Sequence, residues 1–548
     1  MGAEAESLID KIVLVAVPQV GTPQTIGAIL HGYDQGLPAD WMPWILSSRT
    51  ARILAQNMPS AYNLLPSKTY FNGNGSTVNS PVISFEDGTL TKHFIDTYGN
   101  DIDTSDELHD FLLDPDGKVA SDSDDVVRPS TVNAKLLGSA QDVHTSLDDT
   151  WTIPPSIAVY QIAGFGEETL GTIRYWTGDE CTKSFRGWCF KSEPKLQYSP
   201  EMVIDGDGTV VTPSALALST NENMKRYWVD LASYDRPLTF GRKHADILEV
   251  PDLRNFIKNN IIIQSSVNLP EYLSDSEPSI NSEKRLHYIL HSPLMLSARD
   301  TLGNEVSATH SDIPGARYLR FGEVQYISIP AEVHPTLVLD GMADGSFTLE
   351  VEERENTDMR AKTLFSAIPS TAHSHVMMDF PDGTIEGARP LIIDYDGDGT
   401  DDHSIIPVLG GTAHLEDTLP PITTLASAGT RGTGDWYTSD VAITLSAKDD
   451  ENGSGIEKTK YSLDNGVIWN TYTSSIILSN EGTTRVKYFS TDNVGNKEEM
   501  KTQEIKIDKT APEAKIIFNP DTQKIDIIGI DNLGRLISVV STESALKE

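Results

Sequence analysis

The turn Asp205-Gly-Asp-Gly-Thr-Val-Val-Thr212, followed downstream by His244, supplies a carboxylate and then an imidazole. A carboxylate hydrogen-bonded to the imidazole Nδ1–H fixes the ring tautomer. It also stabilises the imidazolium formed when the ring takes a proton from a nucleophile. Acid then histidine is the closing part of a Ser…Asp/Glu…His order. The opening part is missing, because Gly-x-Ser-x-Gly occurs nowhere in the 548 residues. Two carboxylates share the turn, so Asp205 competes with Asp207 for the role of acid. The plain alternative is an Asp-Gly turn and a surface histidine.

A second pattern is Asp394-Tyr-Asp-Gly-Asp-Gly-Thr-Asp-Asp402. Carboxylates at loop positions 1, 3, 5 and 9, with Gly at 6, match the oxygen spacing of a calcium loop. Asp394, Asp396, Asp398 and Asp402 would ligate through side chains, and Thr400 through its carbonyl. Position 12 is Ile405 rather than a bidentate Glu, and no helical pattern flanks the loop. The expectation is a structural Ca²⁺, set against an empty acidic turn. For His373-Ser-His375 no carboxylate or Cys partner is evident in the sequence, so the pair reads as surface or hydrogen-bonded residues rather than ligands.

These residues need elements to position them. Ile12-Val-Leu-Val-Ala-Val17, the Gly21-Thr-Pro23 turn and Thr25–Leu30 read as strand, turn and helix. So apolar a run suggests a strand buried on both faces, as in a parallel sheet. Ser156–Ala163 and Tyr227–Ala232 read as further core strands, and Glu249–Lys258 as a helix with Leu253, Phe256 and Ile257 on one face. Asp207 and His244 fall in loops that follow predicted strands. Trp41-Met-Pro-Trp44 suits either a lid tip meeting lipid or packing of the lid onto the sheet.

Beyond about 265, short strand-like runs alternate with turn signals, which predicts an all-β sandwich. A further strand-rich unit starts near 417. Its entry, Asp417-Thr-Leu-Pro-Pro421, recurs as Asp508-Lys-Thr-Ala-Pro512, marking tandem modules. The expected domains are 1–262, 265–415 with the calcium loop, 417–508, and a partial module or strand pair at 509–548.

The first 262 residues resemble the lecithin:cholesterol acyltransferase family of α/β-hydrolases. The resemblance rests on Lys11-Ile-Val-Leu-Val-Ala-Val-Pro-Gln-Val-Gly-Thr-Pro-Gln-Thr25, Asn57-Met-Pro-Ser-Ala-Tyr-Asn-Leu-Leu-Pro-Ser67, Gly206-Asp-Gly-Thr-Val210 and His244-Ala-Asp-Ile-Leu248. It implies an incomplete α/β-hydrolase followed by all-β sandwich modules, with Asp207 as catalytic acid and His244 as base. The serine and both oxyanion donors would lie upstream of Met1. Residues 420–508 resemble immunoglobulin-like repeats appended to secreted bacterial enzymes.

The expected function is therefore part of a secreted lipid O-acyltransferase or lipase acting through an acyl-serine, inactive without that serine. The alternative is a non-catalytic cell-surface or adhesion scaffold, making contact through its β modules. A net charge of −37, from 80 acidic and 43 basic residues, argues against a nucleic-acid partner. No run reaches the ~18 apolar residues of a membrane helix. The acidic N-terminus does not read as a signal peptide. Cys181 and Cys189 fit either a disulfide-closed hairpin loop or two free thiols.

Overall fold

The computed structural model describes residues 8–32, 47–72, 81–147, 156–218, 223–235, 243–264, 268–279, 283–291, 293–356, 358–413, 415, 417, 419–432, 434–449, 454–511, 513–521, 524–530 and 536–543. Strands outnumber helices, and the chain divides into two units, Met1–Leu415 and Glu416–Glu548.

The first unit opens on a sheet of order Lys11–Val15, Ala158–Phe165, Met224–Asp230, Leu273–Ser274. The first three strands are parallel, and the last pairs antiparallel. The apolar runs of the first two, residues 12–15 and Ala158–Phe165, suit a sheet that needs cover on both faces. One core beside it gathers Ile162, Val229, Leu231, Ile247, Leu253 and Phe256, the last two from the helix Pro251–Phe256. Pro251 stands in the first turn of that helix, where no intrahelical N–H partner is needed. Lys11–Val15 ends the sheet: among the described residues, its other edge pairs with no strand.

Between Phe165 and the acidic turn the chain makes a long excursion, the antiparallel hairpin Thr169–Phe185 and Trp188–Val203. Its two turn residues, Arg186 and Gly187, both have positive φ (48° and 82°), as a two-residue hairpin turn of this twist requires. Cys181 and Cys189 are joined as a disulfide across it, so of the two thiol states the bridged one is adopted.

Past residue 283 lie two six-stranded, almost wholly antiparallel sheets. Leu286, Tyr288 and Leu290 from one, with Leu294, Leu337 and Leu339 from the other, build a common core. The boundary expected at 262–265 falls inside this unit. Ile289, Phe321, Val324 and Tyr326 share a core with Tyr175 and Tyr198 of the hairpin and with Ile26, Ile29 and Leu30 of the helix Gln24–His31.

Ionic contacts cross the same seam. Arg174 reaches Glu350 at 2.6 Å, Glu86 at 2.8 Å and Glu201 at 3.2 Å. Glu350, wholly buried, also takes Lys362 Nζ at 2.5 Å, His291 Nε2 at 3.3 Å and the Ser199 hydroxyl. Burial pushes the Glu350 carboxyl up. Arg174, Lys362 and His291 outweigh that and hold it well below the usual carboxylate range.

His31 shows the opposite case. Its ring stacks on Tyr198 at 3.8 Å, with Nδ1 2.8 Å from Val126 O and Nε2 2.7 Å from the Tyr175 hydroxyl. Burial, the dominant cause, lowers its pKa to about 3, only partly countered by the bond to Val126. The folded ring therefore stays neutral where the unfolded ring, near 6.5, takes a proton. Stability is full above 6.5 and falls as pH drops from there towards 3. His31→Gln, which cannot ionise, should reduce that slope by one proton in urea unfolding measured across this range.

The second unit, taken alone, has a three-stranded sheet (Ile422–Ala428, Val441–Lys448, Ile476–Leu478) and a five-stranded sheet centred on Gly482–Asp492 and Lys501–Ile507. Val441, Ile443, Leu478, Val486, Ile505 and Ile507 form its core. The tail, expected as a partial module or a strand pair, has three antiparallel strands, Glu513–Asn519, Lys524–Ile530 and Leu536–Glu543.

Candidate active site

Asp207 sits just past the end of strand Ala158–Phe165. The hairpin returns there, with Gly166 N–H donating to Ile204 O and Glu167 N–H to Gly206 O, both at 3.0 Å. Gly164 makes the approach possible. A Cβ on it would lie 2.6 Å from Asp207 Cβ and 3.0 Å from Leu231 Cδ1. Gly164→Ala should therefore cost roughly 1–3 kcal/mol and displace the carboxylate. Urea unfolding and the His244 imidazole NMR shifts together check this.

Asp207 is 1% exposed. Its Oδ1 accepts the N–H groups of Val210 (2.7 Å) and Thr209 (3.1 Å). Oδ2 is left to face His244 Nδ1 at 2.9 Å. The His244 backbone N–H also donates to Asp207 O at 2.9 Å, so main chain and side chain are both held in register. His244 opens the short helix His244–Glu249, beyond strand Met224–Asp230. The Asp207 hydrogen bond raises the His244 pKa above its ordinary value, against partial burial that lowers it. With Nδ1 engaged, Nε2 is the ring's basic atom.

The rival acid, Asp205, does not reach the histidine. Burial pushes its carboxyl up to about 6, moderated by a hydrogen bond with Thr212.

The residues not anticipated from sequence are those that latch the turn. Thr22 of Gly21-Thr-Pro23 donates its hydroxyl to Thr209 O at 2.6 Å, and Ser214 donates to Gly21 O at 2.6 Å. Thr169 Oγ1 accepts from Gly208 N–H at 2.8 Å. Gly21 has φ of +95°, and a Cβ there would meet Leu65 O at 2.2 Å. The Gly-Thr-Pro and Gly-Asp-Gly-Thr-Val segments thus touch each other, and each motif's small residues were the available signal.

A cleft of about 1090 Å³ lies nearby, lined by Glu167, Glu168, Asp230 and Asp235 beside Arg285 and Arg317. Asp207 and His244 do not line it, and so polar a surface does not suit an acyl chain.

In the loop at 394–402, carboxylate oxygens of Asp394, Asp396 and Asp398 come within 4.8 Å of one another. Asp402 instead accepts the Tyr395 N–H at 2.7 Å, and Thr400 donates its hydroxyl to Asp398. His375 pairs with Asp340 at 2.7 Å. Trp41 and Trp44 lie outside the described residues.

No protein of curated function matches the chain. Among solved structures, one similar chain is the sialic acid binding region of a Streptococcus sanguinis SK1 adhesin bound to 3'sLn. It is 11% identical, covers 48% of this chain and 92% of its own, and superposes with a TM-score of 0.14, too slight to relate the folds. Residues 3–250, which contain both Asp207 and His244, match the lecithin:cholesterol acyltransferase family model, so the resemblance read from the sequence is borne out over that region.

Proposed function

We propose that Asp207 and His244 are the acid and base of an acyl-serine mechanism acting on lipid acyl esters, by hydrolysis or by transfer to an alcohol. The observation that carries this reading is the 2.9 Å contact between Asp207 Oδ2 and His244 Nδ1, beyond the ends of two adjacent parallel strands. Asp207 fixes the tautomer. His244 Nε2 takes the proton from a serine as it attacks the ester carbonyl, then returns it to the leaving alcohol. Water or an acceptor alcohol resolves the acyl-serine by the same route in reverse. We infer that a segment carrying Gly-x-Ser-x-Gly supplies the serine along the edge of Lys11–Val15 that pairs with no described strand. The disulfide at Cys181–Cys189 supports an extracellular setting.

The test compares this chain with the polypeptide extended by the residues encoded directly upstream, using short- and long-chain acyl esters. Turnover is expected only from the extended form. An upstream sequence without the serine motif, or turnover that survives His244→Gln, would overturn the reading. The raised His244 pKa sets the pH dependence. Turnover climbs as the ring loses its proton above the ordinary 6.5. The pair's contribution to stability has the opposite sense: full below 6.5 and lost as pH rises through the folded value.

A further inference from the structure

We propose that the second unit holds a divalent-cation site, suited to Ca²⁺, formed by Asp417, Asp449 and Asp492. One carboxylate oxygen from each lies within 4.8 Å of the others. They arrive from three separate places: Asp417 ahead of strand Ile422–Ala428, Asp449 directly after Val441–Lys448, and Asp492 at the end of Gly482–Asp492.

Asp492 gives the independent indication. It is fully buried. Its Oδ1 accepts three N–H groups, from Val494 at 3.1 Å, Gly495 at 2.7 Å and Asn496 at 2.8 Å. Gly495, at φ of +102°, permits that wrap. Its other oxygen, Oδ2, is buried with no hydrogen-bond partner. An orphaned carboxylate oxygen held beside two further carboxylates is costly twice over, through lost hydration and through like-charge repulsion. A cation bound among them removes both costs.

The surrounding loops are braced as a preformed cradle. Asp417 Oδ2 accepts Ser454 N–H and Asp449 Oδ2 accepts Gly455 N–H, each at 2.7 Å. Asn496 Nδ2 donates to Asp417 O, and Asn493 Nδ2 to Ser454 O, each at 2.8 Å. The donor set is all oxygen, with no His or Cys, which favours a hard cation. Two ligand oxygens on opposite sides of one Ca²⁺ stand roughly 4.6–5.2 Å apart, so the observed cluster fits around one ion. Three ligands from irregular loops suit calcium's loose geometry better than the strict octahedron of Mg²⁺. Binding there fastens Asp417, where the unit begins, to the two loops on which it rests.

The experiment uses the full chain, chelator-treated, with Asp396→Asn and Asp398→Asn introduced to silence the loop at 394–402. Calorimetric titration with CaCl₂ should show one site per chain. Asp492→Asn keeps the acceptor for the three N–H groups and removes the charge, and should weaken that site at least about tenfold. Asp417→Asn, at a partly exposed position, should do the same and covers the case in which the buried variant fails to fold. Hydrogen exchange gives the local reading: Ca²⁺ should slow the amides of Ser454, Gly455 and 494–496 at least about tenfold. Affinity unchanged in both variants, or no calcium-dependent protection at those amides, overturns the site. Equal protection by Mg²⁺ at the same concentration overturns its assignment to Ca²⁺.

Discussion

Asp207→Asn should lower acyl-ester turnover roughly 10⁴-fold in the polypeptide that carries the serine, with little change in fold. The amide fills the same space, and its Oδ1 still accepts from Val210 and Thr209. What changes is the atom facing His244 Nδ1. A carboxylate there requires Nδ1–H and leaves Nε2 basic. An amide NH₂ favours the tautomer with the proton on Nε2, which cannot accept from a serine. The loss should appear in kcat, since substrate binding does not involve the buried acid. The His244 pKa should fall as well, because its largest raising influence is the bond to Asp207. Imidazole NMR titration of wild type and variant reads this without any turnover. An unshifted pKa in the variant would contradict the role assigned to Asp207.

Glu350→Gln should destabilise the first unit by roughly 3–5 kcal/mol, read as a lowered urea midpoint for that unit's transition. Glu350 is the anion on which Arg174 and Lys362 both converge. Removing its charge takes from a guanidinium whose side chain is only 8% exposed its shortest anionic contact, leaving it Glu86 and Glu201. The pH dependence follows from the depressed Glu350 pKa. This stabilisation is present above the ordinary carboxylate value, 4.5, and is lost as pH falls through the folded value. Glu350→Leu combined with Arg174→Met should cost less than Glu350→Gln alone, because the buried guanidinium is removed along with its main counter-charge. A double variant worse than the single one would show that the contacts of Arg174 with Glu86 and Glu201 matter more than Glu350.

The candidate pair was legible because loop chemistry is local. Gly206-Asp-Gly-Thr-Val210 declares a tight turn, and an apolar run before it and a helix after His244 give the setting. The choice between Asp205 and Asp207 was not legible in the turn itself; only the family resemblance favoured Asp207. The choice depends on which carboxylate the returning hairpin presents, and so on Gly164 lying across from Asp207 Cβ. The hairpin itself escaped the reading for a related reason. Thr169–Phe185 and Val203 back to Trp188 carry many charged and polar residues, so alternation is weak even though Arg174, Gln197 and Ser199 are buried. Arg174 and Ser199 find their partners 92 to 176 residues later in the chain, at His291 and Glu350. No local pattern encodes a partner at that distance. The cluster at 417, 449 and 492 is scattered over 76 residues of sequence and has no loop spacing to betray it.

The acidic turn is flanked by Glu167, which meets Arg317, and Glu168, which meets His287 and Ser328. Those partners come from strands that follow residue 283. The seam works like a keyed joint: separated there, each side would keep interior anions or cations with nothing to answer them. Recombination between genes cannot then trade the β-rich portion for another without also rewriting residues adjacent to His244's partner. The stretch from Lys11 to Leu415 should therefore have passed through evolution as one indivisible cassette, its halves drifting only in step.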